Sequence, residues 1–335
     1  MALVCAATVL TVPGTAHARP TPREPKSLEE VRKEMDKLYH QASVATDAYN
    51  AAEEKAKDQS EEIVRLAKAI VKGEKKLDRL KERAGAAARA HYRSGGIPPQ
   101  AQLMLSDDPR QFLDNAGRVR QGQQATKGLL GELSRTQQDL RAYADDASEQ
   151  WRRLEANRKA KADAKKKIEG KIKAAEKLES ELEKEERERL LELEREAEYK
   201  AQTAWLDSGA LKEINGRATA QGKKAVEYAT AQIGKPYQWG AEGPRSYDCS
   251  GLTSEAWIDA GRTIPRTSQE QWRQLPRIGV EDMRPGDLII YNKDASHVGM
   301  YIGDGAIVHA PRPGRDITIA GAGSMPILGV VRPDK

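Results

Sequence analysis

From Leu28 onward, apolar residues recur at alternating steps of three and four. The series runs Leu28, Val31, Met35, Leu38, Ala42, Ala45, Tyr49, Ala52, Ala56, Gln59, Ile63, Leu66, Ile70, Gly73, Leu77, Leu80, Ala84, Ala87 and His91. A 3.5-residue period held this long predicts a left-handed coiled coil. At 1.5 Å per residue the helix would measure roughly 95 Å. Ser94-Gly95-Gly96-Ile97-Pro98-Pro99 breaks it. Residues 100–115 read as one or two short helices around Asp107-Asp108-Pro109, and a second long helix is predicted from Ala116 to Trp205. Its seam passes through Leu133, Gln137, Leu140, Ala144, Ala147, Trp151, Leu154, Ile168, Ile172, Ala175, Leu178, Leu182, Leu193 and Ala197. Basic residues fill the seam between Arg158 and Lys165, where pairing is expected to be weakest. Two long helices around a breaker predict an antiparallel hairpin over residues 27–206; a parallel dimer is the alternative.

The pattern changes beyond a linker at 207–221. From 222 to 335, Gly and Pro become frequent and short apolar runs replace heptads. Helices are predicted at Ala225–Ile233, Cys249–Gly261 and Ser268–Leu275. Strands are predicted at 287–291, 297–302, 306–310, 317–320 and 327–331. Helices followed by antiparallel strands make a small α+β domain. Around the turn Gly303-Asp304-Gly305, the alternation puts Val298, Met300, Ile302, Ala306, Val308 and Ala310 on one apolar core face. His297 and His309 fall on the opposite face as diagonal neighbours, about 7–8 Å apart.

Composition sharpens this division. The chain of 335 residues is 38% hydrophobic and 32% charged and holds one Phe, which excludes a single large globule. The net charge of +5 comes from 56 basic and 51 acidic residues, too near balance to argue for nucleic acid. The 161–200 stretch has 25 charged residues, but acids and bases alternate, as on a solvated helix face. No run after the first twenty residues has the apolar length of a membrane span. Residues 1–18 read as an export signal, with an apolar run from Ala2 to Gly14 and a small-x-small site at Ala16-His17-Ala18. Cleavage there would leave one cysteine, Cys249, in a secreted chain. An unpaired thiol outside the cell is a candidate nucleophile. Its place at a predicted helix start favours the thiolate. A base and an orienting partner are then needed, and His297 and His309 fit those roles. Zinc held by the two histidines and Cys249 is the competing reading.

Six segments in order carry a resemblance. They are Gly234-Lys235-Pro236-Tyr237-Gln238-Trp239-Gly240, Asp248-Cys249-Ser250-Gly251-Leu252, Pro265-Arg266-Thr267-Ser268 with Gln271, Gly286-Asp287-Leu288, His297 through Gly303, and His309-Ala310-Pro311. Residues 222–333 thereby resemble the NlpC-type cell-wall cysteine peptidases. The resemblance implies a papain-like α+β domain without metal or cofactor. It implies hydrolysis of peptidoglycan stem peptides, commonly between D-glutamate and the diamino acid, by a secreted, wall-associated enzyme. Family roles would make Cys249 the nucleophile, His297 the base, His309 the orienting residue and Tyr237 the active-site tyrosine. Asp248 and Ser250 would hold the free amino end of the stem peptide. Ala241 stands where the family usually has a second Gly, which puts the shape of that loop in question. The first half is similar to the coiled coils fused to such hydrolases in Gram-positive and actinobacterial cell-division enzymes, where the coil silences the peptidase and docks on a membrane division complex. An amidase cutting between sugar and peptide, and a non-catalytic scaffold recruiting other hydrolases, are the competing functions. If the coil masks the site within one chain, masking is expected from Ala197–Trp205 or from a hairpin bent at Arg158–Lys165.

Overall fold

The computed structural model describes residues 26–93, 101, 104, 109–214 and 216–334. The proposed export signal, the Ser94–Pro99 breaker and most of the segment after it lie outside the described residues. The chain is α+β, a long helical hairpin followed by a sheet-containing domain.

Helix α1 (Leu28–Arg93) is one uninterrupted rod. Ser27 and Glu30 start it with reciprocal side-chain-to-backbone bonds of 3.3 and 2.9 Å. Helix α2 (Pro109–Ser180) returns antiparallel along it. Gln59 pairs with Asn157 at 2.9 Å and Lys76 with Glu132 at 3.0 Å, so positions rise on one helix as they fall on the other. Leu66 and Leu80 of α1 and Leu154, Ile168 and Ala175 of α2 are buried. Gly73 is the seam position where Leu140 comes closest, and a Cβ there would lie 2.7 Å from its side chain. The basic stretch of the seam is well partnered. Lys161 reaches Glu53 at 2.6 Å and sits over the Tyr49 ring, while Ala164 is buried.

The second long helix expected up to Trp205 is two helices. The chain breaks after Ser180 and restarts as α3 (Lys184–Asp207), with Glu183 and Glu186 forming a capping box. The reason lies in the packing. Folding back lets Leu190 join Val31, Met35, Tyr39 and Ala175 in one buried cluster, flanked by Leu38, Leu178 and Leu182. A straight helix would carry Leu190 past the start of α1 and leave it in water.

After the short helix α4 (Ala210–Glu213) come α5 (Ala220–Thr230), α6 (Cys249–Asp259) and α7 (Ser268–Gln274). Six strands follow: β1 (Arg277–Ile278), β2 (Leu288–Tyr291), β3 (His297–Gly303), β4 (Ala306–His309), β5 (Thr318–Gly321) and β6 (Ile327–Val331). They form one antiparallel sheet in the order β1-β6-β2-β3-β4-β5. Val298, Met300, Val308 and Ala310 pack beneath α5 and α6 around Trp257, with Ile302 partly buried at the edge. The opposite face differs from the polar surface the alternation suggests. Tyr291, Tyr301 and Ile307 are buried there under Met283, Trp205 and Ile214. The end of α3 and the segment after it thus roof a second core, and Gln202 ties that roof to Gly305 O at 3.2 Å.

Candidate active site

Cys249 is the first residue of α6, and Asp248 caps the helix by accepting from Gly251 N at 2.6 Å. In the preceding loop Ala241 lies against the helix start. Its carbonyl accepts from Asp248 N at 2.9 Å, and a Cβ on Gly251 would lie 2.2 Å from that oxygen. Only glycine lets the loop and the helix start approach this closely.

His297 opens β3 and His309 closes β4. Met300 pairs with Val308 and Tyr301 with Ile307, and a bulge lies between Tyr301 and Gly303. Their rings meet, with His297 Nε2 2.9 Å from His309 Nδ1. Gly299 makes room between them, since a Cβ there would strike Ile307 at 2.6 Å. Cys249 takes a backbone hydrogen bond from Val298, the neighbour of His297, so the thiol lies against the start of β3. Tyr237 is buried, and its backbone N–H donates to Arg315 O at 3.0 Å. Among the described residues, no three His, Cys, Asp or Glu side chains form a group that could hold a metal ion.

Arg266 joins this set, although the sequence assigned it no role. Its guanidinium is buried and holds Asp248 through two bonds, of 2.9 and 2.8 Å. It also donates to Ser250 Oγ at 3.0 Å and pairs with Glu242. A buried carboxylate needs such a partner, and the planar fork of arginine supplies two parallel donors. The signal was available in Pro265-Arg266-Thr267-Ser268, an arginine inside an otherwise uncharged stretch.

The site is not open. Residues of α1 lie on it, a cover the sequence reading did not name, while Ala197 and Glu198, from the stretch it did name, line the cavity shared by His297 and His309. Asn50 donates to Asp248 Oδ2 at 3.0 Å. Ser268 Oγ donates to Asp47 Oδ2 at 3.1 Å, and Ser43 donates to Ser296 O beside His297. His40 contacts Asp294 at 3.0 Å and Ser296 Oγ at 3.3 Å. Tyr49 packs edge-on against Trp239 with ring centres 5.1 Å apart. Asp47 is 3% exposed and Asn50 2%. Asn50 Oδ1 is buried without a partner among the described residues. His40, Ser43, Asp47 and Asn50 follow a three-four spacing of their own, a polar stripe beside the apolar seam. That stripe, set among Ala42, Ala45, Ala48 and Ala51, forms a second docking face.

The electrostatics of the buried site oppose those expected for the nucleophile. Burial, followed by the Asp248 and Asp47 carboxyls, pushes the Cys249 thiol well up, outweighing the Val298 bond and the Arg266 guanidinium. Burial lowers His297 to about 4. Burial and then His297 push His309 down as well. Asp47 is raised well above its ordinary value by burial and then by Asp248. The covered site therefore holds a neutral thiol and neutral imidazoles.

The family model described as NlpC/P60 matches residues 234–324. A probable endopeptidase of Corynebacterium glutamicum is 38% identical over 132 residues, 39% of this chain and 63% of the relative. A probable endopeptidase of Mycobacterium tuberculosis is 39% identical over 94 residues, 28% of this chain and 24% of the relative. The chain thus spans less than two thirds of these relatives. Among solved structures, the NlpC/p60 domain of the peptidoglycan hydrolase SagA aligns at 30% identity over 33% of this chain and 97% of that one, with a TM-score of 0.31. Among the described residues no helix is long and apolar enough to cross a membrane. The motifs around Cys249, His297 and His309 fall inside the matched segment, and through it this chain carries an NlpC/P60 domain.

Proposed function

We propose that the protein is a secreted peptidoglycan endopeptidase, cleaving stem peptides between D-glutamate and the diamino acid, and held latent by its own coil. The observation that carries the catalytic reading is the 2.9 Å bond between His297 and His309 beside a thiol at a helix start. With the coil withdrawn, water returns and the thiol loses the burial that keeps it protonated. His297 takes the thiol proton, and the thiolate attacks the scissile carbonyl carbon. His309 fixes the ring of His297 and supports its charge. His297 then gives the proton to the leaving amine as the C–N bond breaks and a thioester forms on Cys249. Water, deprotonated by His297, hydrolyses the thioester and restores the thiol. Asp248, held by Arg266, and Ser250 receive the amino end of the peptide, and Tyr237 lines the site.

The latent state rests on α1. Asn50 occupies Asp248, the residue assigned to the substrate's amine, with a side-chain amide. Its unpartnered oxygen costs the closed state about 1–3 kcal/mol. Digestion of purified peptidoglycan, with mass analysis of the fragments, tests the proposal. Free D-glutamyl and diamino-acid termini that disappear with Cys249→Ala are expected. Release of intact stem peptides from the sugar would mean an amidase instead. No Cys249-dependent product from protein with an opened coil would mean a scaffold.

A further inference from the structure

We infer that Arg312 and Arg315 form a carboxylate subsite for the stem peptide, which Glu194 of α3 fills while the coil is closed. The inference rests on the endopeptidase reading. Arg312 Nη2 donates to one Glu194 oxygen at 2.6 Å and Arg315 Nη2 to the other at 2.8 Å. Glu194 is 15% exposed, so the carboxylate is largely withdrawn from water. A tight turn aims both guanidinium groups the same way, with Arg315 N bonded to Arg312 O at 3.1 Å and Gly314 at φ +77°. The turn begins three residues after His309, and Arg315 O is the acceptor for Tyr237 N. The arginines are therefore tied to the catalytic framework by backbone.

They also face the same space as the histidines. One cavity of about 1070 Å³ is lined by His297, His309, Arg312, Arg315 and Glu194. Coil residues close it on one side, and Tyr39 of α1 lies under the Arg312 guanidinium at 4.3 Å. Of the carboxylates in its wall, Asp36 lies on α1 and Glu194 and Glu198 on α3, all outside the catalytic domain. The catalytic domain contributes Asp316 alone against the two arginines. An opened coil would thus leave two arginines facing a single carboxylate beside the reacting groups. Two forked donors set side by side recognise a carboxylate in two-point fashion. A stem peptide offers two such groups near the scissile bond, the α-carboxylate of γ-linked D-glutamate and the carboxylate of the diamino acid.

The test uses full-length protein and tripeptide muropeptides with both carboxylates free, or with one or the other amidated. Glu194→Gln is expected to speed cleavage of the free acid. Adding Arg312→Gln and Arg315→Gln to it should raise KM about tenfold for the free acid and leave one amidated form unaffected. That form identifies the carboxylate read. Arg312→Lys should recover part of the loss. Equal KM effects on free and amidated peptides would overturn the subsite. So would Arg312→Gln/Arg315→Gln alone matching Glu194→Gln, because the arginines would then be a latch only. If no variant cleaves any muropeptide, the endopeptidase reading fails. Calorimetric titration of Cys249→Ala/Glu194→Gln protein with the same peptides then decides the subsite separately. Arginine-dependent preference for the free acid supports it, and its absence overturns it.

Discussion

Asn50 and Asp248 are 198 positions apart in sequence and 3.0 Å apart in space, joined by a buried amide-to-carboxylate hydrogen bond. Asn50→Asp would replace the amide donor to Asp248 with a second carboxylate in a buried pocket, which leaves the new charge without a partner of its own. Arg266 is already committed to Asp248 and Glu242. The variant should expose Cys249 and raise its alkylation rate by iodoacetamide at least ~tenfold. An unchanged rate in a folded variant would mean that the contact does not hold α1 down.

The two histidines should respond unequally to substitution. His297→Ala removes the base and should lower turnover nearly as far as Cys249→Ala, by roughly 10³-fold or more. His309→Gln keeps a side-chain group able to bond His297, and should retain clearly more activity than His309→Ala. Steady-state rates of coil-opened protein measure this. Equal losses for the Gln and Ala variants of His309 would remove its orienting role.

Asp47 makes closure depend on pH. Its carboxyl is raised above the ordinary 3.8 in the covered site, so the closed state binds that proton more tightly than the open one. Support for closure is complete below the ordinary value and is lost as pH rises through the raised one. The groups facing it are Asp248, which repels, and Arg266 and Ser268, which oppose the shift. Asp47→Asn mimics the protonated form and removes the titration. The ratio of Cys249 alkylation rates, wild type over Asn variant, should climb with pH, at most about tenfold per unit. A ratio flat from about pH 5 to about pH 9 contradicts this.

Trp205 and Ile214 cover the second face of the sheet, so the point of truncation matters. A fragment of residues 198–335 keeps Gln202 and Trp205 and loses α1. It should unfold at a higher temperature than residues 220–335, since exposing a packed Trp costs about 3 kcal/mol. Calorimetry of the two fragments reads this directly, and equal Tm values would make the covering dispensable. Both fragments should cleave faster than the full chain if α1 is the restraint.

The hairpin was legible because its period persists over many turns, and Leu66, Leu80, Leu154 and Ile168 are buried on schedule. The break at Ser180–Lys184 was not, because Leu178 and Leu182 continue the seam across it while the chain changes direction. Cys249, His297 and His309 were readable as chemistry. Their geometry was readable only in part. Strand register gives the spacing of backbones, whereas the 2.9 Å meeting of ring nitrogens depends on side chains leaning over Gly299. Alternation also predicted a polar second face, since a sequence does not announce that another helix will roof it. The cover over Cys249 was hardest to foresee. The heptads specify how α1 meets α2, and the stripe of His40, Ser43, Asp47 and Asn50 reads as ordinary solvated surface until something is packed on it.

The continuity of α1 turns the cover into a crowbar. Its docked stretch, from His40 to Asn50, is about 15 Å long, and the arm from Asn50 to Arg93 runs about 65 Å further. Clamped along α2, that arm bends little. A sideways push at the far end therefore arrives at the edge of the docked stretch multiplied roughly fourfold, the ratio of the two lengths. On the latency proposed above, a partner gripping the distant end would pry open the thiol without ever touching the domain that contains it.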